Sequence, residues 1–122
     1  DSAKEVLKYY LMERTLLTIV DSKDSAEYII QLQLFEGNMG NRIGKLEVID
    51  NTFNKVIFAS KSVRGRVIIT YSYSSIRNAI DKLVSKELLH NFSDIKKKMT
   101  NYKNYAIHIK SKEQFVASSS SK

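Results

Sequence analysis

The sequence predicts an α+β domain: a single antiparallel or mixed sheet of four to five strands, with two to three helices packed mainly on one face. Apolar residues recur at helical spacing in segments on either side of a central region. That central region contains short segments typical of β-strands, separated only by turns. Strands in direct succession favour antiparallel hairpins, which leaves the helices to cover one face. We expect one domain over residues 1–115 and a mobile serine-rich tail over residues 116–122.

Two segments carry the helical pattern most clearly. Ser2 and Glu5 match a capping box at the start of the first helix, over residues 2–14. Its apolar stripe, with a polar end, is Ala3, Val6, Leu7, Tyr10, Leu11 and Arg14. Ser74 or Ser75 caps a second helix that extends to about residue 89, and its stripe is Ile76, Ala79, Ile80, Leu83, Val84 and Leu88. Ile95, Met99 and Tyr102 suggest a shorter third helix.

Residues 27–36 give the clearest strand. One side of its alternation is Tyr28, Ile30, Leu32 and Leu34, which we expect in the core, and the other is Ile29, Gln31, Gln33 and Phe35, which we expect to be half wet. Residues 15–20, 45–50, 55–61 and 106–110 are further strand candidates, with Leu46 and Val48 inward. Residues 63–66 are expected to break the sheet, and residues 67–73 to be extended or to lead into the helix.

The segment EGNMGNRIGKLEV, residues 36–48, resembles a phosphate-binding loop but fails its requirements. A Walker motif needs GxxxxGK followed by Ser or Thr, between a strand and a helix. From Gly40 to Lys45 the motif is one residue short, the following Leu46 has no hydroxyl group, and a strand pattern comes next. The sequence therefore argues against nucleotide binding.

The same segment contains a GXXG pattern, Gly37 to Gly40, as in the RNA-clamping loop of KH domains. That loop lies between helices, whereas this one lies between strands. We therefore interpret it as a long hairpin connection in which glycine and asparagine supply positive φ angles. Because long loops on rigid sheets often carry function, we expect Asn38, Asn41 and Arg42 to contact a partner.

Catalytic patterns are missing from the sequence. The chain has no cysteine, which excludes thiolate catalysis and cysteine-ligated zinc. His90 and His108, the only histidines, have no HExxH setting, and the acids Asp21, Asp24 and Glu27 belong to a polar turn. We therefore predict no enzymatic activity, no metal, no cofactor and no small-molecule substrate.

The net charge of +7 is unevenly distributed. Residues 96–112 hold no acid and six lysines, namely Lys96, Lys97, Lys98, Lys103, Lys110 and Lys112. These lysines, together with aromatic side chains on an exposed sheet face, would suit a single-stranded nucleic acid, although the aromatic signature of an RRM is absent. No apolar run is long enough to span a bilayer, so we predict no transmembrane segment.

Short motifs over residues 15–89 resemble the amino-terminal domain of TolB-like proteins and the periplasmic domain of curli-secretion-channel-like proteins. The matching stretches are residues 19–21 (IVD), 26–30 (AEYII), Asp50 with residues 54–57 (NKVI), and Ala79 with Leu83. Asn54 stands where the family has glycine, and asparagine tolerates the left-handed conformation of a bulged hairpin turn. The resemblance implies an α/β sandwich domain of the cell envelope that works through protein contacts, and it carries over no catalytic residues.

We therefore expect a non-enzymatic protein-interaction or scaffold module of a bacterial cell envelope, periplasmic or part of a lipoprotein, whose partner is another protein. A signal peptide or lipobox is then expected upstream of Asp1. Its expected working surfaces are the sheet edges and the half-wet side of residues 27–36. The alternative is a nucleic-acid-binding module that uses the basic segment 96–112.

Overall fold

The structure, a computed structural model, describes residues 2–66, 74–99 and 106–114 of the chain. The helices are α1 (Ser2–Arg14), α2 (Ser74–Lys82) and α3 (Phe92–Lys98). The strands are β1 (Thr18–Ile19), β2 (Tyr28–Glu36), β3 (Arg42–Asp50), β4 (Lys55–Ala59), β5 (Val63–Gly65) and β6 (Ala106–Gln114). The predicted α+β class is confirmed, and the described residues contain six strands, one more than the upper expectation.

All of these strands belong to one mixed sheet with the order β1-β6-β2-β3-β4, and β5 pairs with the start of β3. Successive strands β2, β3 and β4 pair antiparallel, as the direct succession of strand patterns predicted. β6 runs parallel to both β2 and β1. β2 is therefore the central strand, paired along almost its whole length on both sides.

The core lies between the helices and one face of this sheet. The sheet contributes the predicted inward residues Tyr28, Ile30, Leu32, Leu34, Leu46 and Val48, together with Ile107 and Ile109 of β6. The helices contribute Ala3, Leu7, Leu11, Ala79, Ile80, Leu83, Val84, Leu88 and Ile95. The core residues therefore lie at every second position of the strands and at every third or fourth position of the helices, and together they form one apolar layer.

Helix α2 passes very close to β5, and Gly65 permits this approach. A Cβ atom built on Gly65 would lie 2.0 Å from the carbonyl oxygen of Ser75 and 2.6 Å from the amide nitrogen of Ala79. Gly44 on β3 is also covered, because its Cβ would lie 3.0 Å from Leu83 Cδ1. These two glycines therefore serve helix-on-sheet packing.

The predicted helix up to about residue 89 is helical throughout but changes its winding. After α2 the chain forms a π-helical segment, Leu83–Leu88, and the amide of Leu89 donates to the carbonyl of Val84 at 2.9 Å. A hydrogen bond that spans five residues instead of four widens the helical turn, and it changes the direction in which the following side chains point. Here it coincides with burial of Leu83, Val84 and Leu88 in the core.

A polar contact joins α1 to α2. The Arg14 guanidinium stacks on the Tyr10 ring at 4.3 Å from its centroid and donates hydrogen bonds to Asp81 and Ser85. The hydrogen bond from Arg14 lowers the pKa of Asp81, and the same bond raises the pKa of Arg14. Arg14, predicted as the polar end of the α1 stripe, thus secures the crossing of the two helices.

Several predicted element boundaries were wrong. β3 begins at Arg42, whereas we expected a strand from residue 45, and residues 63–65 form β5 where a break was expected, because they pair with the extended start of β3. β6 continues to Gln114, beyond residue 110, since it follows β2 in register. β1 is limited to two residues. Residues 67–73, Tyr102 and the predicted serine-rich tail 116–122 lie outside the described residues.

Candidate interaction surface

The face of the sheet opposite the helices carries a second set of side chains, none of which joins the core cluster of the described residues. Cross-strand register arranges them in rows. The rows are Ile29 with Ile49 and Val56; Gln31 with Glu47; Gln33 with Lys45; and Phe35 with Ile43 and Arg64. We call these residues the open face.

Most of the open face is half-exposed, as predicted for Gln31, Gln33 and Phe35. The prediction was wrong for Ile29, which is only 6% exposed. In the register Ile29 lies between Ile49 of β3 and His108 of β6, so neighbours on both sides cover it. The middle rows of the face are polar, while the two outer rows are apolar except for Arg64.

The open face combines amide, charged and aliphatic side chains. Gln31 Nε2 donates to Glu47 Oε1 at 3.4 Å, and Glu47 is the single carboxylate on the face. Within the part of the chain that the structure describes, no group of three or more His, Asp or Glu residues could hold a metal ion. A flat, half-exposed surface of amides, charges and aliphatic side chains resembles the composition of a non-obligate protein interface.

The loop between β2 and β3, residues 37–41, was the predicted partner contact. Asn38 is exposed, whereas Asn41 and Arg42 are half-buried, and Arg42 already belongs to β3. The amide of Gly37 donates to the Asn41 carbonyl at 2.8 Å, and that of Asn41 to the Asn38 carbonyl at 3.1 Å, which closes a tight turn. The loop is therefore an ordered hairpin connection of five residues.

Positive φ angles in this loop agree with the prediction at one glycine and differ from it at a second residue. Gly40 has a φ of 79°, but the other left-handed residue is Met39, at 58°. Gly37 has a φ of −107°, so it is extended, and no asparagine of the loop is left-handed. Asn54, in the turn between β3 and β4, does adopt the predicted left-handed conformation, with a φ of 53°.

Met39 is the residue that sequence reasoning missed. Its side chain is 92% exposed at the outermost point of the loop. An apolar residue flanked by asparagine and glycine, where turn chemistry predicts a polar residue, was the available signal. A second missed residue is Arg64, which the unrecognised strand β5 brings next to Ile43.

The lysines of residues 96–112 that the structure describes belong to two separate elements, α3 and β6. Lys96, Lys97 and Lys98 are exposed on α3, and Lys98 Nζ donates to the carbonyl of Ile57 on the outer edge of β4 at 3.3 Å. Lys110 and Lys112 belong to β6, in register with Gln31 and Gln33, and β2 and β3 separate β6 from β4. Lys103 lies outside the described residues.

No protein-family model and no curated protein matches this chain. Among solved structures, an endonuclease V from Bacillus subtilis is similar, with a TM-score of 0.34 and 16% sequence identity. The match covers 83% of this chain and 40% of that chain, so the chain spans well under half the length of that protein. A likeness this weak carries no argument about fold or function.

Of the helices in the described ranges, none has both the length and the apolar character needed to cross a bilayer.

Proposed function

We propose that this domain is a non-enzymatic protein-interaction or scaffold module and that the open face is its docking surface. The observation that carries the proposal is the separation of the two sheet faces. One face is covered by the helices, while Ile43, Ile49 and Val56 on the other face are partly accessible among the described residues. A half-exposed aliphatic and polar face of this kind is suited to cover by another protein.

A stretch of strand edge that no described strand covers also supports the proposal. β6 pairs with β2 from Ile107 to Gln114, but on its other side it pairs with β1 only at Ala106 and Ile107. Within the described residues no strand continues β1 along the rest of β6. The backbone groups of such an edge can accept a strand from a partner, parallel or antiparallel.

The proposed site of action is a bacterial cell envelope, in the periplasm or as part of a lipoprotein. Its support is the resemblance of residues 15–89 to TolB-like and curli-secretion-channel-like domains. Absence of enzymatic activity remains a prediction, founded on the lack of any nucleophile, acid and base set in the sequence.

A photo-crosslinking experiment tests the docking surface. A photoreactive amino acid replaces Gln33, in the middle of the open face, or Lys86, an exposed residue on the helix side, in the full-length protein in its native host. We expect a discrete protein adduct from position 33 and none from position 86, with loss of the adduct when Ile43→Asp is added. No adduct at position 33, or the same adduct at both positions, would contradict the proposal.

The nucleic-acid alternative is favoured by one arrangement only: Phe35 and Lys45 lie on the open face, and the neighbouring strand β6 has Lys110 and Lys112 in register with Gln31 and Gln33. Single-strand binding usually uses several stacking rings, whereas Phe35 is the one aromatic ring of the open face. Adducts from position 33 that disappear on nuclease treatment, together with a steep loss of oligonucleotide affinity with salt, would establish this alternative instead.

A further inference from the structure

The sheet end that carries the 37–41 loop combines apolar side chains with arginines. Met39 stands at the tip, and the last row of the open face lies directly behind it. We call this region the loop end; its members are Phe35, Met39, Arg42, Ile43, Arg64 and Arg66. The register sets Arg42 opposite Gly65 and Ile43 opposite Arg64, so both strands deliver arginines to the same end.

Met39 is disfavoured at its position on two separate grounds. An exposed methionine leaves its thioether side chain in water, and the left-handed backbone is one that L-residues other than asparagine and aspartate rarely adopt. Asparagine or glycine would satisfy both requirements, and both occur as direct neighbours of this residue. A residue that opposes local preference without a packing role indicates a function outside the fold.

The charge around the tip is positive on balance. Residues 35–46, 62–66 and, by the register of β6, 112–114 belong to this sheet end, and they comprise Arg42, Lys45, Arg64, Arg66 and Lys112 against Glu36 and Glu113. Arg64 and Arg66 are exposed. The opposite sheet end differs, because its turn 51–54 is hydrogen-bonded to the acidic segment around Asp24 through Asn51.

We propose that the loop end is a membrane-contact site, in which Met39 enters the headgroup region of an anionic bilayer and the surrounding arginines bind lipid phosphates. The tip presents one exposed apolar side chain, with exposed arginines close behind it at the same sheet end. A single exposed apolar side chain with cations around it suits the surface of a bilayer, and the charge complements anionic headgroups. A nucleic acid would be attracted by the same arginines but has no apolar layer to receive Met39.

A fluorescence experiment tests the proposal directly, because the chain contains no tryptophan. Met39→Trp places the single tryptophan at the loop end, and Phe53→Trp places it at the opposite sheet end, where Phe53 is 72% exposed. The probe is vesicles of phosphatidylglycerol and phosphatidylcholine, compared with phosphatidylcholine alone. We expect a blue shift of emission for Met39→Trp with the anionic vesicles at low salt, and no shift for Phe53→Trp.

Charge variants then distinguish binding of the vesicles at the loop end from a general attraction between a basic protein and anionic lipid. Arg64→Gln with Arg66→Gln should weaken vesicle binding by roughly fivefold per arginine removed. Lys96→Gln with Lys97→Gln removes the same charge from α3, which packs near β4, and should leave binding nearly unchanged. Equal losses in the two double variants would overturn the proposal, as would a shift at both tryptophan positions or at neither.

Two further outcomes are decisive. An emission change of Met39→Trp with a single-stranded oligonucleotide, but not with vesicles, would assign the loop end to nucleic acid and overturn the membrane proposal. Met39→Asn should keep the fold and lower vesicle affinity, whereas unchanged affinity would contradict insertion of this residue. The tryptophan test reports on position 39, which is not a member of the open face, so its failure leaves the protein-docking proposal for that face untouched.

Discussion

At the residue scale, glycines in this chain have unlike roles that the sequence does not distinguish. Gly40 supplies a positive φ at the loop, Gly44 and Gly65 make room for helices, and Gly37 is extended. Sequence spacing placed three of them in a single glycine-rich motif, but the fold assigns Gly44 to the core-facing side of β3. Only the position of α2 above the sheet, a tertiary feature, reveals the difference.

Gly65→Ala should therefore destabilise the domain, because its methyl group would overlap the backbone of Ser75 and Ala79. We expect the free energy of unfolding, measured by urea denaturation, to fall by about 1–3 kcal/mol or more. Gly37→Ala is the control, since its Cβ would meet the nearest atom, Asn41 O, at an ordinary 3.4 Å. Similar effects from the two substitutions would contradict the close helix crossing.

Met39→Asn tests whether the tip residue is held against local preference. Asparagine tolerates the left-handed region that Met39 occupies, so we expect the free energy of unfolding to stay level or to rise by up to about 1 kcal/mol. Thermal or urea unfolding measures the change, and Met12→Asn on α1, also exposed, provides a comparison at a helical position. A clear loss of stability in Met39→Asn would show that this side chain supports the fold.

At the element scale, α1 and α2 depend on an ion pair whose formation is pH-dependent. The folded state lowers the pKa of Asp81 through its hydrogen bond from Arg14. A lowered carboxyl pKa adds stability at a pH above the unfolded-state pKa, and that contribution is lost as the pH falls through the folded-state pKa. The contribution is modest, because both side chains are partly exposed to solvent.

Asp81→Asn should consequently reduce the free energy of unfolding at neutral pH by roughly 1 kcal/mol or less. In the variant, the free energy of unfolding should also fall less steeply as the pH is lowered. Urea unfolding at a series of pH values from neutral to strongly acidic measures this dependence. Asp24→Asn removes the same charge at an exposed position in the polar turn before β2, away from the α1–α2 contact, and is the matched control. Parallel acid profiles for wild type and Asp81→Asn would disprove the role of the pair.

The two faces of β3 provide a second test at this scale. Leu46 is fully buried in the core, whereas Ile49 on the open face is half-exposed. Leu46→Ala should lower the free energy of unfolding by about 2–5 kcal/mol, and Ile49→Ala by less than about 1.5 kcal/mol. Comparable losses would indicate that the open face is covered in the isolated domain, which would weaken the docking proposal.

The lengths of the elements also explain which of them the sequence pattern could predict. Alternation in residues 28–34 predicted both the strand and its inward side, because one buried face imposes a strict period of two. β5 has only three residues, too few for any period, and its pairing with the start of β3 depends on a contact distant in sequence. Among the site residues, the half-wet glutamines were predictable, whereas the backbone of Met39 was not.

At the scale of the whole molecule, pairing on both sides of β2 should dominate local stability. β2 lies between β3 and β6, while β4 is an outer strand. In native-state hydrogen exchange monitored by NMR, amides of Leu32 and Leu34 should exchange more slowly than those of β4. Faster or equal exchange in β2 would mean that β6 separates readily from the sheet.

The parallel pairing of β6 has a consequence for the order of assembly. The hairpins of β2, β3 and β4 join neighbouring segments and can form early, whereas β1, among the described strands, pairs only with β6, at residues 106 and 107. During synthesis the edge of β2 that later pairs with β6 would remain unpaired while most of the chain is made. Such an edge is a template for incorrect strand pairing. A chaperone that shields extended strands would act in this interval, and chains truncated before residue 106 should aggregate.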